Sequence, residues 1–412
     1  PDAYYEAVTG WFERRHGWQI RKEWMIYTSG VVPAISAVIK VLTEPGDKVL
    51  VQTPVYNCFF SSIRNNGCEI IRNPLSYAHD TFTIDYEDLE RKAADPRVKV
   101  MLLCNPHNPA GRVWTREELS HIGEICIRNG LTVVSDDIHC ELVFPEYTFT
   151  PFASISEEFL RHSVTCLSPS KAFNIAGLQI ANIVCSDENL RRKIDRAINI
   201  NEVCDVNPFG VIATIAAYNE GEEWLSQLID YLWQNYLYMK DFCGKYLPDF
   251  PITLLEGTYL VWMDCRKLGK SSEELEHLLI EKAKLWLNAG TMYGAEGEGF
   301  MRWNIACPRS SLIKGLERFR NFVGSGWGGG VFFLELPSPP FFFGIFSQQA
   351  ISDALPNSSP LTAHLPPWAE NKEILLSAYS VLCPPDAIDR NPSRTNGFSR
   401  RFVCIGFLPS AV

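Results

Sequence analysis

The sequence of 412 residues has no apolar run approaching the ~20 residues of a membrane-spanning helix, because charged residues, proline or glycine interrupt every candidate. It also has no basic-then-apolar leader at its start. Positive charge is in deficit, with 38 Lys and Arg against 48 Asp and Glu and a net charge of −10. A protein that binds nucleic acid without sequence preference needs a basic face, so we expect neither a nucleic-acid partner nor a membrane partner.

Paired cysteine motifs are also absent. The 13 cysteines occur singly, with no C-x-x-C pair and no Cys/His spacing typical of a zinc site. An odd number of scattered cysteines in a chain of this length favours reduced thiols in a cytoplasmic enzyme over a disulfide framework. We therefore predict a cytoplasmic protein without a metal site, whose cysteines are mostly small buried hydrophobic residues.

What the sequence does contain is an alternation of short β-branched runs with amphipathic helical patterns. This alternation predicts an α/β fold with a mostly parallel sheet flanked by helices. The predicted strands include Lys48–Gln52, Lys99–Cys104, Leu131–Ser135 and Ser163–Leu167. Thr115 and Glu118 form a capping box that begins a predicted helix running to Asn129. Because such sheets bind ligands at the carboxyl ends of their strands, we expect the functional site in the loops that follow.

The predicted large domain comprises residues 1–221, and a smaller α/β domain comprises residues 222–323. A long amphipathic stretch at 222–247 begins the second domain. The other elements predicted there are strands near Thr258–Asp264 and Phe300–Ala306 and a helix from Ser272.

The composition changes after residue 323. Residues 324–412 hold 11 of the 26 prolines and only 11 charged residues, and they show no sustained helical or strand period. One interpretation is an interaction tail. We instead expect a segment that is not part of the fold, since its clusters of bare aromatic residues would favour aggregation if they were exposed.

One lysine lies in a pattern suited to covalent chemistry. In Ser168-Pro169-Ser170-Lys171, the lysine follows a predicted strand and stands among hydroxyl groups. Partial burial lowers the pKa of an amine and exposes the lone pair that a Schiff base requires, and the serine hydroxyls can donate to a phosphate. Taken alone, an S-x-S-K sequence is also typical of a surface loop.

Asp136 and His139 follow the predicted strand that ends at Ser135. A carboxylate at this edge of the sheet can keep a pyridine nitrogen protonated, which makes the ring an electron sink. His139 could reach the same ligand. The competing interpretation is a helix N-cap acid followed by an ordinary core histidine.

Three further segments give weaker signals. Two Asn-Pro pairs around Asn108 predict a rigid loop that can hold its amide toward a phenolic oxygen, although Asn-Pro is also a common turn signal. Gly30, Val31 and Val32 precede a helical pattern and can offer backbone N–H groups to a phosphate. Tyr56 could stack on a flat ring, although in isolation it is typical of a core tyrosine.

Arg302 lies inside an apolar strand of the predicted smaller domain. An arginine there is unfavourable without a partner, and a substrate carboxylate held bidentately would supply one. A structural salt bridge is the alternative.

These features occur together, and their order along the chain is the small-residue turn, the tyrosine, the Asn-Pro loop, the strand-end aspartate, the Ser-x-Ser-Lys segment and the late arginine. With this combination the sequence resembles a known family. The segments NPHNPAGRVWTREEL, SDDIHCEL, SPSKAFNIAGLQ and GFMRWNIACPRSSL are similar to those of fold-type I pyridoxal phosphate enzymes of the aminotransferase class I/II superfamily. The similarity is greatest to the cystathionine β-lyase branch that includes the bacterial MalY and PatB proteins. It extends over residues 1–322 and includes none of the tail.

The resemblance implies a role for each candidate residue. Lys171 would be the catalytic lysine that binds pyridoxal 5′-phosphate and shuttles the proton at Cα, and Arg302 would bind the substrate α-carboxylate. The implied cofactor contacts are Gly30, Val31, Val32, Ser168 and Ser170 at the phosphate, Tyr56 on the ring, Asp136 at the pyridine nitrogen, and Asn108 and His139 toward the phenolic oxygen. The resemblance also implies a homodimer with sites at the subunit interface.

Three positions depart from the family pattern. Gln179 stands where many aminotransferases have a phosphate-binding arginine, which favours the lyase branch. Asp137 replaces the glutamate that is usual in this branch. Family members also have an N-terminal arm before the position of Pro1, with a tyrosine that reaches the neighbouring subunit's phosphate, so we expect this chain to be a fragment.

The activity implied by the resemblance is a C–S β-lyase that cleaves L-cystathionine or related S-substituted cysteines to thiol, pyruvate and ammonia. Two alternatives stay open. One is a class I/II aminotransferase that passes the amino group to a 2-oxo acid. The other is a regulatory partner of a transcription factor, because MalY-like proteins can bind such a regulator independently of catalysis.

Overall fold

The structure, a computed structural model, describes residues 1–200 and 206–325 together with the backbone of 403–404. The helices are α1 Asp2–His16, α2 Val31–Leu42, α3 Cys58–Asn65, α4 Tyr86–Ala93, α5 Arg116–Arg128, α6 Glu157–Arg161, α7 Glu188–Asn199, α8 Pro208–Glu220, α9 Glu222–Tyr246, α10 Ser272–Leu278 and α11 Arg309–Gly324. The strands are β1 Met25–Thr28, β2 Lys48–Thr53, β3 Glu69–Pro74, β4 Ser76–Ala78, β5 Thr81–Thr83, β6 Val98–Cys104, β7 Thr132–Asp136, β8 Ser163–Leu167, β9 Ala181–Val184, β10 Leu260–Asp264, β11 Leu285–Trp286, β12 Asn288–Ala289, β13 Phe300–Asn304 and β14 Val403–Cys404.

A seven-stranded sheet has the order β1-β9-β8-β7-β6-β2-β3. The strands β3, β2, β6, β7 and β8 are parallel, and β9 is antiparallel to both β8 and β1. The predicted α/β fold with a mostly parallel sheet is therefore confirmed. Because β1 points in the same direction as β8, the carboxyl ends of β1, β2, β6, β7 and β8 meet at one edge.

Helices cover both faces of this sheet, which explains why its central strands are continuous hydrophobic runs. Along β2 the side chains alternate between the two faces: Val49 and Val51 join the core beneath α2, α3 and α7, whereas Leu50 joins the core beneath α4 and α5. This double burial makes the sheet a rigid support for the loops at its edge.

The sequence signals for individual elements are largely confirmed. Helix α5 begins with the predicted capping box, in which Thr115 accepts from the Glu118 backbone and the Glu118 side chain accepts from Thr115. Strand β7 runs one residue further than predicted and includes Asp136. Strand β10 begins later than predicted because Thr258 takes a left-handed conformation, with φ 68°, that interrupts the strand.

A second sheet, β10-β13-β12, is antiparallel. Its core side chains pack with those of α9, α10 and α11, the elements expected in the smaller domain. The predicted boundary falls at Gly221, between α8 and α9, and its status as a domain boundary stays a prediction. Of the predicted tail, the structure describes Gly324, Ser325 and the strand β14, which pairs in parallel with β11. The rest of that segment lies outside the described residues.

Among the described residues, no helix combines the length and apolar character needed to cross a membrane. The ten described cysteines are free thiols, and eight of them are buried.

Candidate active site

Five predicted site regions lie at the edge where the parallel strands end. Gly30 follows β1, Tyr56 follows β2, Asn108 follows β6, Asp136 ends β7 and Lys171 follows β8. The topology of the sheet, rather than proximity in sequence, brings these residues together.

Lys171 is partly buried, and its surroundings lower the pKa of its amine. Burial is the main cause that lowers the pKa of Lys171, and the nearby Arg302 guanidinium lowers it further. The Asp136 carboxyl and the Cys58 thiol act in the opposite direction but do not reverse the shift. A neutral amine at this position is a nucleophile and a proton acceptor.

Asp136 is buried and has no side-chain partner among the described residues. One of its oxygens, Oδ1, accepts from the backbone N–H of Ile138 at 3.1 Å. Burial raises the pKa of Asp136 to about 7, although the Ile138 hydrogen bond and the charge of Lys171 both act to lower it. A buried carboxyl group with no cation paired to it can accept a positively charged ligand nitrogen.

His139 is buried three residues after Asp136, and the charges of Lys171 and Arg302 act on it. Its Nδ1 has no hydrogen-bond partner among the residues that the structure describes, and its ring meets that of Tyr259 edge to face at 5.8 Å between centroids. Burial, followed by the charges of Lys171 and Arg302, lowers the pKa of His139 to about 3. The imidazole is therefore neutral at physiological pH and can offer one nitrogen to a ligand.

Tyr56, Asn108 and Arg302 complete the same cluster. Arg302 donates from Nη1 to Asn108 Oδ1 at 3.2 Å. Burial raises the pKa of Tyr56, and the nearby Cys58 and Asp136 add to this effect while Arg302 opposes it. Six predicted site residues thus contact or interact electrostatically with one another: Tyr56, Asn108, Asp136, His139, Lys171 and Arg302.

The residues predicted to hold a phosphate lie at the ends of β1 and β8. Gly30 is the N-cap of α2, so the first backbone N–H groups of that helix, at Val31 and Val32, have no partner within the helix. The Ser168 hydroxyl donates to the Ile180 carbonyl oxygen at 2.7 Å and accepts from the Ser170 backbone N–H at 3.1 Å. The proton of Ser168 is thus engaged by the backbone here, and a phosphate site at these residues stays a prediction.

Gln179 and Asp137, the two residues that depart from the family pattern, differ in burial. Gln179 is exposed, in a left-handed conformation with φ 50°. Asp137 is fully buried and accepts a hydrogen bond from Ser135, and burial raises the pKa of its carboxyl group well above the usual range.

Sequence analysis did not identify two residues that contact Arg302. Asn288 Oδ1 accepts from Arg302 Nη2 at 2.9 Å, and the ring centroid of Tyr293 lies 4.6 Å from the guanidinium carbon. Asn288 lies on a two-residue strand that has no periodic signal. The glycine-rich run GTMYGAEGEGF just after it was the only local hint of an unusual loop near Arg302.

Comparison with known proteins identifies the family of the chain. A family model described as aminotransferase class I and II matches residues 2–319. The chain belongs to this family. It is 44% identical over 315 residues to cystathionine β-lyase PatB of Bacillus subtilis (strain 168), covering 76% of this chain and 81% of PatB. It is 32% identical over 323 residues to protein MalY of Escherichia coli (strain K12), covering 78% of this chain and 82% of MalY.

Within the aminotransferase class I and II family, the chain thus lies in the PatB/MalY cystathionine β-lyase branch, as the sequence motifs predicted. The crystal structure of cystalysin from Treponema denticola, which contains pyridoxal 5′-phosphate, matches with a TM-score of 0.78 and 36% identity. The match covers 79% of this chain and 82% of cystalysin. The fold-type I architecture is thereby confirmed.

Proposed function

We propose that this protein is a pyridoxal 5′-phosphate-dependent C–S β-lyase that cleaves L-cystathionine or related S-substituted cysteines to thiol, pyruvate and ammonia. The observation that carries the proposal is the cluster in which Lys171 and Asp136, at the edge where the parallel strands end, meet Arg302 from β13. A 44% identity to the cystathionine β-lyase PatB supports the choice of reaction within the family.

The residues present fit the cofactor. The unpaired carboxyl group of Asp136 suits a protonated pyridine nitrogen, and the free Nδ1 of His139 is a buried polar atom that lacks a partner. We assign Asp136 to that nitrogen, Asn108 and His139 to the phenolic oxygen's side and Tyr56 to the face of the ring. The phosphate would be held by Gly30, Val31, Val32, Ser168 and Ser170. When bound, pyridoxal phosphate supplies an electron sink for the negative charge that develops at Cα of an amino acid.

Two residues would act on the substrate. Arg302 would bind the α-carboxylate through its remaining N–H groups and so orient Cα relative to Lys171. Lys171, whose pKa is lowered mainly by burial, would accept the Cα proton as a general base. Burial of Asp136 and His139 keeps water from competing for these groups.

Replacement of the lysine tests the proposal directly. Full-length protein with pyridoxal phosphate should release pyruvate from L-cystathionine, and Lys171→Ala should lower that rate by at least about 1,000-fold because it removes both the covalent anchor and the base. It should also remove the long-wavelength absorbance of lysine-bound cofactor. The matched control is Lys193→Ala, at an exposed position on α7, which should keep both properties.

Two results would contradict the proposal. Absence of pyruvate release from both L-cystathionine and L-cysteine by the cofactor-loaded wild type would exclude the lyase. Turnover that depends on an added 2-oxo acid would indicate an aminotransferase instead.

We also propose that the enzyme is a homodimer. Helix α8 supports this proposal because it exposes Phe209 and Ile212, which are 70% and 63% accessible, one turn apart on the face away from its contacts with α1. Exposed apolar side chains of this size on a regular helix are typical of a subunit interface.

A further inference from the structure

In the described ranges, only neutral groups contact the Arg302 guanidinium. Asn108 Oδ1 accepts from Nη1 at 3.2 Å, Asn288 Oδ1 accepts from Nη2 at 2.9 Å, and the Tyr293 ring lies against the guanidinium at 4.6 Å. The Nε atom is buried without a partner. In the described part of the chain no carboxylate forms an ion pair with Arg302, so its positive charge remains available for an anion.

The position of Asn288 is determined by the smaller sheet. In the antiparallel register of β12 and β13, Asn288 lies directly opposite Arg302, and Trp262 on β10 lies opposite Arg302 on its other side. The chain just after β12 is closely packed, since a Cβ on Gly290 would lie 2.0 Å from the carbonyl oxygen of Gly297. The amide of Asn288 is therefore in place before any ligand binds.

An amide at position 288 differs from a carboxylate in its charge. Aspartate has nearly the same shape and would accept the same hydrogen bond, but it would also neutralise Arg302. Asparagine orients the guanidinium without competing for its charge.

We infer that Asn288 is a positioning residue that sets the affinity of this site for the substrate α-carboxylate. It orients Arg302 and, because its side chain is uncharged, it preserves the charge that the carboxylate binds. The inference rests on the proposed role of Arg302 as the carboxylate-binding group.

The test uses cofactor-loaded full-length protein and two ligands that differ only at the carboxylate. L-alanine and L-alanine methyl ester are titrated while the cofactor absorbance is monitored, so the measurement does not require elimination to occur. Asn288→Asp should weaken L-alanine binding by roughly 30- to 100-fold, because the new carboxylate competes for Arg302, and should change methyl ester binding by less than about 3-fold. Asn288→Ala should weaken L-alanine binding by about 5- to 10-fold through loss of orientation.

Asn321→Asp, at an exposed position on α11, is the control because it changes the net charge equally but lies outside the site. It should leave both affinities unchanged. In the pyruvate assay, Asn288→Ala should raise KM for L-cystathionine more than it lowers kcat.

The inference is overturned if Asn288→Asp weakens both ligands equally, or if it leaves L-alanine binding unchanged while the cofactor spectrum is that of wild type. These outcomes are independent of the reaction catalysed. A wild type that binds L-alanine but releases no pyruvate would contradict the lyase proposal and leave the Asn288 result valid.

Discussion

At the scale of single residues, Asp136 is a buried acid whose ionisation should respond to a bound ligand. Its carboxyl group is buried and forms no ion pair with the described residues, and burial raises its pKa to about 7 although the charge of Lys171 acts to lower it. In the unfolded chain the same group has a pKa of about 3.9. Because the folded pKa is the higher one, the protonated carboxyl group makes its full contribution to folding stability below about pH 4. That contribution is lost as the pH rises toward 7.

Asp136→Asn should therefore stabilise the cofactor-free protein in a pH-dependent manner. The gain should be small near pH 4, should grow up to about pH 7 and should then level off, at no more than about 4 kcal/mol for a shift of this size. Denaturant unfolding of cofactor-free protein across this pH range measures the gain. Asp230→Asn, at an exposed position on α9, is the control and should show no such trend.

Bound pyridoxal phosphate should act against this stability gain of Asp136→Asn over wild type. A protonated ring nitrogen beside Asp136 favours the carboxylate, so wild type should gain more thermal stability from the cofactor at pH 8 than Asp136→Asn. An equal gain in both proteins would mean that Asp136 does not contact the ring nitrogen.

Much of the candidate site could be predicted at this scale. A polar residue just after a buried parallel strand lies at the edge of the sheet where all the parallel strands end. Asp136 was found by that rule, and Asn108 by the two Asn-Pro pairs in the loop that follows β6. The hydrogen bonds of Arg302 could not be found in this way. They depend on the register between β12 and β13, and two residues on a strand carry no period from which a register can be inferred.

At the scale of elements, α1 is attached to the segment after β7 through one buried carboxylate. Glu141 accepts hydrogen bonds from Trp11 Nε1 at 2.7 Å, Arg15 Nε at 2.9 Å and His16 Nε2 at 2.8 Å. Burial by itself would raise the pKa of Glu141, but the hydrogen bonds from His16 and Trp11 and the charge of Arg15 lower it. The same segment carries His139, so this attachment also supports the site.

Glu141→Gln should destabilise the protein by about 3 kcal/mol at pH 7, because it leaves Arg15 without its buried partner. Since the folded pKa of Glu141 is below the unfolded value, its contribution is present above about pH 4.3 and is lost as the pH falls through the folded pKa. The difference between variant and wild type in denaturant unfolding should therefore shrink at acidic pH.

Glu13→Gln is the matched control, because Glu13 lies on the same helix but is exposed, and in the described part of the chain its carboxylate accepts only from Gln19, at 3.2 Å. It should change stability by less than about 0.5 kcal/mol. Equal destabilisation by the two substitutions would show that Glu141 contributes no more than a surface carboxylate.

Element boundaries differed in how well they could be predicted, for physical reasons. Strand β8 was predicted with its observed bounds because it is a buried run that ends at a Ser-Pro sequence. The start of β10 was placed too early because the left-handed backbone at Thr258 is unusual for a β-branched residue. Nothing in the composition indicates that conformation.

At the scale of the whole molecule, α8 has apolar side chains on two faces. Its buried face includes Gly210, Thr214 and Tyr218, and a Cβ on Gly210 would lie 2.8 Å from the carbonyl oxygen of Leu178. A helix that is already packed this closely on one face does not need further apolar residues on the other for its own folding. The exposed Phe209 on the opposite face therefore supports the proposed homodimer.

Phe209→Glu should shift the protein from dimer to monomer in sedimentation velocity at micromolar concentration, because two charged groups would be buried in a symmetric contact. Phe209→Leu keeps the apolar character and should remain dimeric. Both variants should retain the far-ultraviolet circular dichroism of wild type, since Phe209 lies outside the core of the chain. A monomeric wild type, or a Phe209→Glu protein as dimeric as wild type, would place the subunit contact elsewhere or remove it altogether.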